Sequence, residues 1–287
     1  MYRSLEEICK EAAATGCSFW ELIQKDDCRE RQIAQEESFV QLQRMYQAMK
    51  EADQDYDGTL HSRSGLVGTD GGKLEHYVEQ EEPICGDFLG RVMEKAVKMG
   101  ESNACMKRIV AAPTAGACGV IPAVFLSYEE YCKETENRMV EALFVSAGIG
   151  AVIAENASIA GASGGCQAEI GSASAMAAGS VAFLEGGDAE CILQAATLSL
   201  KNMLGLVCDP VAGLVEVPCI KRNAAGAVNA VTSAQMALAG IKSIIPADEV
   251  IGAMAEIGRD MPTCLKETGT GGLAVTRAAK KIAETLV

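Results

Sequence analysis

Histidine is nearly missing from this 287-residue chain, which carries only His61 and His76. A histidine-rich metal site is excluded, and a nucleophilic triad built on histidine has little to draw on. Aromatic residues make up 5% of the chain, against 49% hydrophobic residues and 29 glycines. Such a core has to be assembled from small side chains, which favours helices that approach one another closely. Lysine and arginine are nowhere bunched, and the formal net charge is −14. Nucleic acid and anionic membrane surfaces therefore find no electrostatic footprint. Long apolar runs are lacking too. Residues 142–154 and 170–184 are apolar but bounded by Glu141, Glu155, Glu169 and Glu185. Both fall short of the roughly 20 residues that span a bilayer and read as buried core helices. Met1–Lys10 has Glu6 and Glu7 and no apolar segment of a secretory leader, so a cytoplasmic, reducing setting is expected. No stretch sustains a period-two alternation and no tandem repeat is visible. The fold class expected is all-α, a single helical domain whose helices are interrupted by Gly/Pro-rich loops.

Cysteine, by contrast, is plentiful: there are twelve. In a reducing compartment disulfides are the weaker reading, and metal binding or catalysis the stronger. Three cysteines stand beside helix-breaking residues: Cys166 after Gly164 and Gly165, Cys208 before Asp209 and Pro210, and Cys219 after Pro218. At such turns backbone N–H groups are free to face a thiolate or a bound sulfide, which is what an iron–sulfur cluster requires. Their spacings, 42 and 11 residues, match no short ligand motif, so the residues alone leave the ligand set open. Cys118 is a rival ligand that reads better as a packed thiol. Cys9, Cys17 and Cys28 read as ordinary thiols.

Along the chain, Ser4-Leu-Glu-Glu7 is a capping box for a short helix that stops at Gly16, and Ser18-Phe-Trp-Glu21 opens a second, long polar helix to about Ala52. Residues 1–60 are expected to form an N-terminal helical arm set off from the main core, and 61–287 the functional domain. Asp53, Asp55 and Asp57 copy the first positions of a calcium loop, but Ser64 stands where the bidentate Glu belongs and no exit helix follows. The Gly-rich loop 62–73 offers N–H groups and hydroxyls to a small anion such as a carboxylate, or is a plain connector. Near 111–122, Thr114 and the N–H groups around Gly116 are placed to face a ligand. If the irregular segments 62–73, 111–122, 161–166 and 206–220 converge at one end of the helices, they make a site.

Three stretches carry a resemblance to a family: Ala112-Pro-Thr-Ala-Gly116, Asn156 through Ser174 with its core Gly161-Ala-Ser-Gly-Gly-Cys-Gln-Ala-Glu169, and Lys201 through Asn223 with Cys208-Asp-Pro-Val-Ala-Gly213. Together with Met261 through Leu273, they resemble the α chain of iron–sulfur-dependent L-serine dehydratases over most of the chain after Ser64. The resemblance implies an all-helical catalytic domain in which Cys166, Cys208 and Cys219 hold a [4Fe–4S] cluster, without pyridoxal phosphate. It also implies L-serine as substrate, a separate β chain as partner, and an oligomer. One iron without a protein ligand would act as a Lewis acid on the substrate hydroxyl while a base removes the Cα proton. Lys73 and His61 are the titratable candidates for that base, which the β chain can equally supply. Thr114, Arg222 and Asn223 are expected to meet the substrate carboxylate and amino group. Single-chain relatives carry the β portion and in some a C-terminal cysteine; here the last cysteine is Cys264. Three other readings remain. A cysteine desulfidase-like lyase would use the same elimination logic. A pyridoxal-phosphate enzyme would cradle phosphate on Gly161–Gly165 but has no lysine close by in sequence. A calcium-binding module would use Asp53, Asp55 and Asp57.

Overall fold

A computed structural model describes residues 2–286. Among these residues there are thirteen α-helices and no β-strand, as expected of the all-α class. The centre is α9 (Ser172–Leu184), buried at every one of its 13 positions. Its sequence, Ser-Ala-Ser-Ala-Met-Ala-Ala-Gly-Ser-Val-Ala-Phe-Leu, has no charge to expose and small residues on all sides, so neighbours can close on it from every direction. Around it stand α6 (Val120–Cys132), α7 (Glu136–Asn156), α10 (Ala189–Met203) and α11 (Cys219–Leu238). The approach is close: a Cβ on Gly179 of α9 would fall 2.3 Å from Ile149 Cδ1 of α7. Four of the hydroxyls inside are paired, Ser146 with Ser180 and Ser174 with Ser199, each at 2.8 Å. Helix α7 is long and apolar enough to cross a membrane by composition, yet 67% of its most apolar window is buried inside this fold.

The N-terminal helices are α1 (Leu5–Thr15), α2 (Phe19–Arg31) and α3 (Gln35–Gln54). They depart from expectation twice. The long polar helix is broken, because Gln32 adopts φ 55° and α2 ends there. Contacts across the turn hold the break: Gln24 Nε2 donates to Gln35 O at 3.2 Å, and the Ser38 hydroxyl to Asp27 at 2.6 Å. Nor do these helices stand off as an arm. Ile8, Phe19, Leu22, Tyr46 and Met49 lie in the same buried cluster as α9. Gly148 of α7 makes room for Ile23, and the N-terminus of α1 is capped by Asp248, whose carboxylate accepts from Ser4 Oγ at 2.7 Å and Leu5 N–H at 2.9 Å.

Next come α4 (Asp70–Gln80) and α5 (Gly86–Ala104); after α7 a four-residue turn of helix, α8 (Gly161–Gly164), precedes α9. The chain ends with α12 (Ala247–Asp260), which carries Asp248, and α13 (Arg277–Thr285). Helix α5 brings Glu94, Lys95, Lys98 and Glu101 into the interior, all nearly inaccessible. Each has a partner, as buried charges must. Lys95 Nζ lies 2.7 Å from Asp53 and 3.0 Å from Glu130. Asp53 is therefore an ion-pair partner of Lys95, while Asp57 accepts from its neighbour Thr59 at 2.9 Å. The calcium-loop reading loses its first ligand to α5.

Candidate active site

Segments 161–171, 206–219 and 261–273 meet at the N-terminal end of α11. After α8 the chain passes Cys166 and enters a single π turn, Gln167–Gly171, a geometry that re-aims side chains and recurs at functional sites. Gln167, fully buried, pins this turn in place. Its Oε1 accepts from Gly205 N–H at 2.9 Å and its Nε2 donates to Gly164 O and Met254 O at 3.0 and 3.1 Å. Cys208 is held by backbone on both sides, its N–H donating to Leu265 O and its carbonyl accepting from Glu267 N–H, both at 2.8 Å. Cys219 is the first residue of α11, at the electropositive end of the helix.

These three thiols are buried and sense one another. Burial pushes Cys166 up to about 11, while the nearby Arg222 guanidinium and the Ile170 N–H pull it down. Burial raises Cys219 to about 12, with a further push from Cys166 and a downward pull from Arg222. Cys208 rises further still, through burial and then the charges of Cys166, Glu169 and Cys219. With nothing bound, the three therefore rest as neutral thiols and must lose their protons to act as ligands. Gly161 lets the two groups close in: a Cβ there would lie 3.2 Å from Cys208 Sγ and 2.8 Å from Glu169 Oε2. Among the described residues no three His, Cys, Asp or Glu side chains converge tightly enough for a single metal ion.

Glu169 is the residue that sequence reasoning passed over. It lies on the π turn, and Thr114 Oγ1 donates to its Oε1 at 2.7 Å. Burial raises its pKa, the Thr114 hydrogen bond lowers it, and Glu267 raises it further. Gly116 approaches from the other side, where a Cβ would come within 3.0 Å of Oε1. The available signal was an acid three residues after Cys166, at the edge of an apolar run that becomes α9.

The other expected site residues fall out as follows. Arg222 lies here, but its Nη1 donates to Val207 O at 2.8 Å and its Nη2 to Asp209 Oδ1 at 2.9 Å, so it braces the Cys208 segment and faces Cys166. Asp209 in turn accepts from Leu273 N–H at 2.8 Å. Asn223 is 1% exposed and spent on backbone, accepting from Gly119 N–H and donating to Gly116 O and Cys219 O. Its amide ties segment 111–122 to α11, with both N–H donors spent on backbone carbonyls. Lys73 is exposed and paired with Asp70 at 2.7 Å, which raises its pKa and keeps it protonated. That leaves it without the lone pair a base needs. His61 is exposed. Cys118 is fully buried, its thiol pushed up to about 12 by burial. Cys264 is exposed on a turn just before Lys266, which bridges to Cys208.

Loop 62–73 does reach the site, since Ser62 and Ser64 both donate to Glu216 of the Cys208–Cys219 segment. Its anion seat is filled from within. The buried Glu101 carboxylate accepts from Asp70 N–H at 2.9 Å, Gly71 N–H at 3.0 Å and Tyr56 O–H at 2.7 Å.

A family model described as serine dehydratase alpha chain matches residues 14–274. The chain belongs to this family. It is 44% identical to the probable L-serine dehydratase, alpha chain, of Bacillus subtilis, over 98% of this chain and 94% of that one. It is 39% identical to the L-serine dehydratase, alpha chain, of Peptoniphilus asaccharolyticus, over 98% and 95%. The L-serine dehydratase of Streptomyces coelicolor is 48% identical over 63% of this family member, a match that covers 40% of the Streptomyces protein.

Proposed function

We propose that the chain is the catalytic α chain of an L-serine ammonia-lyase that converts L-serine to pyruvate and ammonia, with Cys166, Cys208 and Cys219 holding a [4Fe–4S] cluster. One observation supports the reading: three buried thiols from segments 42 and 11 residues apart are brought near one another, with Cys166 and Cys219 raising Cys208 and Cys166 raising Cys219. Cysteine thiolates are the ligands that hold such a cluster. Arg222 would offset part of its negative charge. When bound, a cluster with one iron free of protein ligands supplies Lewis acidity toward a substrate hydroxyl.

This chain's residues do the rest. The three thiols give up their protons on assembly, Gln167 and Arg222 fix the loops that carry them, and Gly161 lets Glu169 stand close to Cys208. The relatives matched over nearly their whole length are named as alpha chains of L-serine dehydratases, which supports L-serine as substrate and a β chain as partner. The base that removes the Cα proton is assigned to that partner, since Lys73 is held protonated by Asp70 and His61 is exposed outside the cysteine segments. Twelve free cysteines support a cytoplasmic setting.

The test is iron and sulfide content after anaerobic reconstitution, in wild type and in Cys166→Ser, Cys208→Ser and Cys219→Ser, followed by an L-serine assay with the β chain. About four irons in wild type, lost in each variant, is the expected result. Full iron in all three variants would refute the ligand set, and faster ammonia release from L-cysteine than from L-serine would refute the substrate.

A further inference from the structure

The carboxylate of Glu169 is held by one oxygen only. Thr114 Oγ1 donates to Oε1, while Oε2 is the oxygen turned toward Gly161 and the Cys208 side of the site. At Gly161 a Cβ would come within 2.8 Å of Oε2 and 3.2 Å of Cys208 Sγ, so only a residue without a side chain lets this oxygen stand so close to the Cys208 segment. With Thr114 donating to Oε1, the other oxygen is the one left to carry a proton. Oε1 accepts from the hydroxyl, so a proton on the carboxyl group resides on Oε2 and points into the site. Glu169 is only half-buried, which leaves it open to a small molecule and to resupply of its proton from water.

We propose that Glu169 is the general acid that protonates the departing hydroxyl of the substrate. The inference rests on the lyase reading above. Hydroxide is a poor leaving group, and protonation as the bond breaks is the remedy a positioned carboxylic acid offers. The Cα–H bond breaks and its proton goes to the base, a nitrogen or carboxylate group of the completed enzyme. The electron pair forms the Cα=Cβ bond as Cβ–O breaks. The oxygen takes the Oε2 proton and leaves as water, and Glu169, now a carboxylate, recovers a proton from solvent. The aminoacrylate tautomerises to the imine, and water converts that to pyruvate and ammonia. Burial and Glu267 both favour the neutral acid that this role requires.

The test compares wild type, Glu169→Gln and Glu169→Asp, each reconstituted with the β chain, on L-serine and on β-chloro-L-alanine, whose chloride leaves without a proton. Iron per chain and the L-serine concentration that half-perturbs cluster absorbance are measured alongside. Glu169→Gln is expected to keep its iron and its L-serine binding. It should lose about 100-fold or more in kcat on L-serine and stay within a few-fold of wild type on β-chloroalanine, with Glu169→Asp in between on L-serine. Equal losses on both substrates would overturn the acid role and leave the lyase reading standing. Loss of iron in both variants would make Glu169 a ligating or structural group and overturn it as well. A wild-type complex that releases no pyruvate from L-serine would overturn the lyase reading, and this inference with it.

Discussion

Thr114 and Glu169 are 55 residues apart in sequence, yet the threonine hydroxyl donates to Oε1 of the glutamate at 2.7 Å. The bond joins the loop before α6 to the π turn before α9, and it sets which carboxyl oxygen looks into the site. Thr114→Val removes the donor while keeping the β-branched shape. A neutral hydrogen bond contributes about 0.5–1.5 kcal/mol, which corresponds to a fall of about 2- to 10-fold in kcat on L-serine. Iron content should be unchanged and β-chloroalanine turnover should hold. A variant slowed equally on both substrates would reduce Thr114 to packing.

Glu101 predicts a stability effect. Its carboxylate closes the N-terminus of α4 by accepting two backbone N–H groups and the Tyr56 hydroxyl, and only 1% of the residue is exposed. Glu101→Leu strands those donors and is expected to destabilise the protein by about 1–3 kcal/mol in urea unfolding. Tyr56→Phe, which loses one hydroxyl, should cost less. A Glu101→Leu midpoint equal to wild type would show that loop 62–73 draws its order from elsewhere.

Both residues mark where the sequence was silent. Helix ends with their own capping chemistry were legible: Ser4 accepts from Glu7 N–H and Asp188 from Cys191 N–H, as local pattern predicts. The small-residue core was legible as well, because apolar runs rich in Ala, Gly and Ser, with one aromatic each, have few other ways to pack. The Gln32 break was not, since no Gly or Pro announces it and contacts between α2 and α3 hold it. Loop 62–73 did read as an anion seat, but its anion is a side chain 30 residues on in α5, which no local pattern discloses. Cys166, Cys208 and Cys219 were singled out because each breaks helical context. Glu169 was missed because an acid at the edge of an apolar run ordinarily marks a helix end rather than a site.

Asp53 gives a prediction that separates fold from function. Its carboxylate lies on Lys95, with both side chains largely buried. Asp53→Asn takes the charge from that pair and leaves Lys95 with the more exposed Glu130. Breaking a buried pair costs about 3–5 kcal/mol; the neutral but hydrogen-bonding Asn and the remaining Glu130 place this variant toward the lower end. Millimolar calcium is expected to leave the wild-type melting temperature where it was. A calcium-dependent rise abolished by Asp53→Asn would restore the calcium-loop reading.

Cysteine reactivity should sort by environment rather than by position in the chain. Cys17 lies 3.0 Å from Lys25 Nζ, and the hydrogen bonds from Lys25 and Thr15 lower its pKa. Cys118 and Cys9 are both raised to about 12 by burial, with nearby acids adding to the shift at Cys9. A lowered value means the thiolate of Cys17 is present at a pH where an ordinary thiol with a pKa of 9.0 is still protonated. Since the thiolate is the nucleophile, brief iodoacetamide treatment of the native protein near pH 7.5 should alkylate Cys17 ahead of Cys9 and leave Cys118 intact, as read by peptide mass mapping. Lys25→Met removes the donor that stabilises the thiolate, so the pH of half-maximal alkylation at Cys17 should move up toward 9. An unchanged profile in Lys25→Met would mean that the pair at 3.0 Å does not govern Cys17. Alkylation of Cys118 at the rate of Cys17 would contradict its placement in the core.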